Sequence, residues 1–133
     1  MTARDRKLPD ESHPISLEHN KSRIVIRLAG RIIADSVDAL TLREANYPPV
    51  HYFPRKDVEM ALFEPSSHSS YCPYKGEASY YSLPLGGERS VNAVWSYEDP
   101  YDAVAGIRGY VAFYPDRVDC IDEWESADAS RTS

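Results

Sequence analysis

Two cysteines, two methionines and six glycines in 133 residues exclude several classes of protein at once. Cys72 and Cys120 stand far apart, in no C-x-x-C pair and beside no paired histidines, so they cannot supply the four ligands of a closed tetrahedral zinc site. No metal and no other cofactor is expected. No apolar run approaches the ~20 residues needed to cross a bilayer, and residues 1–20 lack the apolar core of a signal peptide. The expectation is a soluble, cytoplasmic protein with reduced thiols and no membrane partner. Basic residues are also scarce: 15 Lys and Arg face 21 Asp and Glu, for a net charge of −6. Much of the acid lies in Asp116, Asp119, Asp122, Glu123, Glu125 and Asp128. Phosphate binding needs clustered Lys and Arg free of such competition, so nucleic acid is not an expected partner.

The chain does hold 42% hydrophobic and 27% charged residues, which separates it from disordered sequences and suits one domain with one packed core. Ten Tyr beside ten Pro favour half-buried strands with frequent interruptions. The organisation expected is a flexible leader over residues 1–22, a single β-rich domain over 23–124 and an acidic, disordered tail over 125–133.

Within the domain, Ile24-Val25-Ile26 and Ile32-Ile33 flank Ala29-Gly30-Arg31 as a hairpin or a bulged strand. Val37 to Arg43 reads as a strand or, over Ala39-Leu40-Thr41-Leu42-Arg43-Glu44, as one or two helical turns; a short strand through Tyr52 and Phe53 follows, with Tyr47-Pro48-Pro49-Val50 extended because each residue before a proline is pushed out of the helical region. Pro54 to Phe63 reads as one short helix with proline in its first turn. Ala78–Leu83 and Ser90–Tyr97 read as strands joined across Pro84-Leu85-Gly86-Gly87-Glu88. Asp102 to Ala105 reads as a helical turn, Gly109 to Tyr114 as a strand, and Val118 to Ile121 as a last short strand. Apolar residues on both faces of the later strands require cover on both sides. The fold class expected is therefore mainly β, a small partly open barrel or a two-layer, tent-like domain with one or two short helices.

Chemistry concentrates in Ser67-His68-Ser69-Ser70-Tyr71-Cys72-Pro73-Tyr74-Lys75-Gly76. His68 and Cys72 could form a nucleophile and base only if a turn brought them together, since Pro73 disfavours helical geometry at Cys72; the plainer reading of Cys72 is packing. Lys75 can aim an ammonium at an anionic group while Gly76 permits a close backbone approach. Lys75-Gly76 is not a phosphate loop, because the upstream Gly and following Ser or Thr are missing. On the return strand Val91, Ala93, Trp95 and Tyr97 share one face, which leaves Asn92 on the other. The site candidates are His68, Cys72, Tyr74, Lys75, Gly76, Asn92 and Trp95, with His68, Cys72 and Lys75 the catalytic candidates.

The segments Ala34-Asp35-Ser36, Tyr47-Pro48-Pro49-Val50-His51-Tyr52-Phe53-Pro54-Arg55-Lys56-Asp57-Val58, Ser67 through Pro73-Tyr74-Lys75-Gly76, Tyr80-Tyr81, Asn92-Ala93-x-Trp95-x-Tyr97-x-x-Pro100 and Gly109-Tyr110-Val111-Ala112-Phe113-Tyr114 occur in order. With them the run from Arg23 to Glu123 resembles the bacterial and fungal domain of unknown function 427. The resemblance implies a compact β-rich fold, similar to tent-like or barrel-like domains, and a nucleotidyltransferase-type label. It implies a site at His68, Cys72, Lys75, Gly76, Asn92 and Trp95 without a mechanism. Nucleotidyl transfer needs paired carboxylates to hold Mg²⁺ beside phosphates; no close acidic pair flanks the motif, and Asp116 with Asp119 is the nearest. Tent-like relatives hold zinc through paired cysteines, which this chain lacks.

Three functions follow as expectations. The first is binding of a small polar or anionic ligand in a pocket lined by the Ser67–Gly76 segment. The second is a transferase-like enzyme using Cys72 or Lys75 with His68. The third is a protein-interaction domain, which would present an exposed aromatic patch instead of a cavity. Neither the ligand nor the oligomeric state is written in the sequence.

Overall fold

The first strand comes from within the stretch expected to be a leader. In the computed structural model, which describes residues 6–124, Ile15–Asn20 (β1) alternates Ile15 and Leu17 with Ser16 and Glu18, and the apolar pair packs on the core. Only two large apolar residues mark this strand, which is why its pattern does not stand out from a polar leader. β1 thus lies ahead of Arg23, where the domain is expected to begin; the acidic tail expected over 125–133 lies outside the described residues.

The remaining strands are β2 (Arg23–Leu28), β3 (Arg31–Ser36), β4 (Ala39–Glu44), β5 (Val50–Tyr52), β6 (Glu64–Cys72), β7 (Gly76–Ser82), β8 (Val94–Ser96), β9 (Val111–Phe113) and β10 (Cys120–Trp124). The β2–β3 hairpin turns at Ala29 and Gly30, which take φ of 53° and 77°. All pairings are antiparallel and give three sheets, ordered β1-β4-β5, β10-β2-β3 and β6-β7-β8-β9. Reciprocal backbone bonds between Phe53 and Val111, at 2.7 and 3.0 Å, join the first sheet to the third. None of the three closes on itself, so the domain is a two-layer β structure and the barrel alternative is not formed.

Strand alternation explains the layers. On β8 and β9, Val94, Val111 and Phe113 face Ile24, Ile26, Leu28 and Ile33 of the second sheet in one core. Trp95 and Ala112 point the other way, into a second core with Leu42, Tyr52, Tyr80, Tyr97, Val104 and Ile107. A strand apolar on both faces is covered on both.

Every helical segment among the described residues is 3₁₀. The helix expected over Pro54–Phe63 is two such turns, Arg55–Asp57 and Met60–Leu62, separated by Val58 in extended geometry (φ −127°, ψ 140°). There β-branched Val58 bridges to Ala34 and buries its side chain in the first core, which outweighs the helix formers around it. Ser90–Tyr97 contributes only β8 to the sheet, because Pro84–Ser90 winds into a 3₁₀ segment and Asn92 takes a φ of 54°.

Candidate functional site

The β6–β7 hairpin tip delivers Lys75. Its backbone N–H donates to the Cys72 carbonyl at 3.2 Å, and its own carbonyl accepts from the Tyr101 N–H at 3.0 Å. Gly76 then leaves the turn at a φ of 112° and lies buried against the Asp99–Tyr101 backbone. From this tip the Lys75 ammonium donates to one oxygen of Glu44, at the end of β4, and sits 6.0 Å from the centre of the Tyr97 ring.

The other Glu44 oxygen is bonded to His13 Nε2 at 2.7 Å. The His13 ring lies flat on Tyr74, with centroids 3.9 Å apart and planes 6° apart. His13 is held in place by Asp10, whose carboxylate accepts from the Ser12 N–H, the Ser12 hydroxyl and the His13 N–H at 2.9, 2.7 and 3.0 Å. Just upstream, the Lys7 N–H donates to the Pro73 carbonyl at 2.9 Å, laying this segment across the hairpin tip. The Lys75 and Glu44 side chains are only 12% and 10% exposed. Burial pushes the Glu44 carboxyl up, but the hydrogen bonds and charges of Lys75 and His13 outweigh it and hold the carboxyl below its ordinary range.

Glu44 and Lys75 form part of the wall of a cleft of about 250 Å³. Its aromatic lining is Tyr52, Tyr80, Trp95, Tyr97 and Tyr114, with Tyr47-Pro48 at the lip. Trp95 Nε1–H donates to the Tyr52 hydroxyl at 3.2 Å, and the Tyr80 hydroxyl lies 2.8 Å from Ser70 Oγ and 3.5 Å from the Tyr114 hydroxyl. Burial raises Tyr52 and Tyr97 far above the ordinary phenol range; burial and then the Tyr80 hydroxyl push Tyr114 up to about 12. All three stay protonated phenols at neutral pH.

The unused charged groups in this cleft are the N–H donors of Lys75. Both Glu44 oxygens are taken, by Lys75 and His13. Lys75 has three N–H donors and gives one to Glu44. The Tyr97 hydroxyl has no hydrogen-bond partner among the described residues.

Of the residues singled out from sequence, Lys75 and Trp95 line the cleft together. Tyr74 backs it through His13, and Gly76 shapes the tip. Cys72 packs, half-buried, into the second core. His68 is exposed on β6, its ring edge-on to Tyr80 at 4.5 Å. Four residues of extended strand set His68 roughly 13 Å from Cys72 along the chain, so the thiol–imidazole pair needed for nucleophilic catalysis is not formed. Asn92 sits elsewhere: its backbone N–H donates to Ser82 Oγ at 2.9 Å, its carbonyl accepts from Arg117 at 3.0 Å, and its buried side-chain oxygen has no partner among the described residues. Asp119, of the nearest acidic pair, is bonded to the Ala29 N–H and Arg89 and lies outside the cleft.

Glu44, His13, Tyr52, Tyr80, Tyr97 and Tyr114 were not among the sequence candidates. Glu44 had a readable signal: Leu40, Leu42 and Glu44 share one strand face, and an acid on an inward face requires a partner. Tyr97 shares the parity of Trp95. His13 carried none.

The model of one protein family, described as a domain of unknown function (DUF427), matches residues 16–123. No curated protein matches the chain.

Proposed function

We propose a binding function for this chain, which belongs to the family described as a domain of unknown function (DUF427): its cleft takes a small ligand with a flat or apolar body and a hydrogen-bond-accepting head, a carbonyl or a carboxylate. The observation that carries this reading is the donor surplus at Lys75 and Tyr97 inside an aromatic-walled cavity. Aromatic boxes with a carboxylate commonly hold cations. Here Lys75 already occupies that position, bonded to Glu44 and near the Tyr97 ring, so a second cation would meet repulsion and a carboxylate already bonded through both oxygens. Glu44 fixes the ammonium and leaves two N–H donors for an acceptor. A ligand head would bond to Lys75 and Tyr97 while its body contacts Trp95 and Tyr114.

The transferase-like alternative, with His68 acting on Cys72, draws no support from two groups held apart on one strand. The interaction-domain alternative calls for a contiguous aromatic patch, whereas the aromatic residues around Lys75 line a concavity.

Isothermal titration with benzoate, benzamide and benzylammonium tests the proposal. Benzoate and benzamide should bind and benzylammonium should not, and Lys75→Met should weaken benzoate at least tenfold, the loss of one hydrogen bond to a charged donor. Equal or tighter binding of benzylammonium, or no binding of any of the three at millimolar concentration, would refute it.

A further inference from the structure

A second cavity, about 350 Å³, adjoins the Lys75 cleft across a shared wall. Tyr47, Pro48, Val50, Trp95 and Tyr114 line both, and the Trp95 and Tyr114 rings stand 4.5 Å apart at 45°. Beyond that wall the character changes. Ile26, Phe53, Phe113, Pro115 and Ile121 make the second cavity largely apolar, with His51 also in its lining. His51 Nδ1 lies 2.9 Å from the Thr41 hydroxyl, and its Nε2 lies 3.4 Å from a Glu123 oxygen. One compartment therefore offers charged and hydroxyl donors and the next mainly hydrocarbon contact, with Tyr47, Pro48 and Val50 common to both.

From this pairing we infer that the ligand is an amphiphile: a carboxylate whose aliphatic chain runs along the shared Tyr47, Pro48 and Val50 lining, beside the Trp95–Tyr114 contact, into the apolar cavity. The inference rests on the acceptor-head reading and adds the ligand class. A cavity this apolar contributes affinity by removing CH₂ groups from water. A chain ending in a cation would place its charge at Lys75. The acid head with a hydrocarbon chain is the chemistry that satisfies both compartments.

The test is titration of the full chain with acetate, butyrate, hexanoate and octanoate, with octyltrimethylammonium and benzoate as controls. Affinity should rise about fourfold per added methylene along the acid series, the amount expected for burying a CH₂ group. Ile121 lines the apolar cavity and not the Lys75 cleft. Ile121→Trp, checked for an unchanged melting profile, should flatten the length dependence and leave benzoate binding as it was. Lys75→Met should weaken every acid. In a Trp124→Phe background the fluorescence of Trp95 should respond to octanoate, a readout that needs no cavity-filling variant. Benzoate binding without any length dependence would overturn the chain assignment and leave the acceptor-head reading intact. Length dependence shown equally by octyltrimethylammonium, with benzoate silent, would overturn both and leave an unselective apolar cavity.

Discussion

Replacing Glu44 by Gln is the most direct perturbation of the site. The side chain keeps its length and one carbonyl acceptor and loses only its charge. Lys75, 12% exposed, would then hold an ammonium out of water with no counter-charge, since Glu44 is its only hydrogen-bonded anion among the described residues. Breaking a buried pair on one side costs about 3–5 kcal/mol; with one neutral acceptor retained and a tenth of each side chain still wet, about 3 kcal/mol is expected. For a domain of this size that lowers the melting temperature by roughly 10 °C. Lys75→Met should cost less, because Glu44 keeps His13 at 2.7 Å. The double variant should regain most of the loss, with a coupling energy of at least about 1.5 kcal/mol. The pH dependence has a definite sign. The Glu44 carboxyl titrates below its ordinary value of 4.5 when folded, so its stabilisation is complete above about pH 4.5 and fades as pH falls through the folded value. Asp10, Asp35, Asp38 and Asp119 are lowered as well and add their own acid losses, so the informative quantity is the difference between native and Glu44→Gln melts, which should shrink toward acid. Additive single variants, each within 0.5 kcal/mol of the native protein (about the limit for sites that do not interact), would refute the reasoning.

Three further outcomes follow from the same geometry. Gly76→Ala should cost about 1–2 kcal/mol by urea unfolding at unchanged m, because a φ of 112° is closed to residues with a Cβ although the space is open to 3.5 Å; Gly30→Ala, at 77° with nothing nearby, should cost less, and the reverse order would refute the backbone argument. Cys72 should react with a thiol reagent at pH 6–7 no faster than an ordinary cysteine, since His68 stands apart along β6; rapid labelling would revive the nucleophile. Trp95→Phe should lose about 1 kcal/mol through the bond to the Tyr52 hydroxyl, measured by denaturant midpoint, and no loss would show that bond to be replaceable.

Local signals in the sequence were sufficient where the physics is local. The Ala29-Gly30 turn and the strand read over Ala78–Leu83, found as Gly76–Ser82, follow from turn chemistry and alternation. Reading failed where a partner distant in sequence decides. Val58 is extended because Ala34 is there to pair with it, and β1 is a strand because β4 offers an edge. The site divides in the same way. Lys75, Trp95 and Tyr74 stand out through the motif around them, but Glu44 is 31 residues from both Lys75 and His13, and no local pattern announces either contact.

The match to the family begins at Ser16, three residues after His13. The ion pair, the aromatic walls and the apolar cavity thus belong to the shared segment, while the imidazole on the second oxygen of Glu44 belongs to the flank. A boundary drawn at the start of the match cuts behind the cleft: the trimmed chain would keep its ammonium but present Glu44 with an unbonded oxygen and Tyr74 with a bare ring face. The Lys75 and Tyr97 donors would remain, and the freed Glu44 oxygen would add an acceptor beside them.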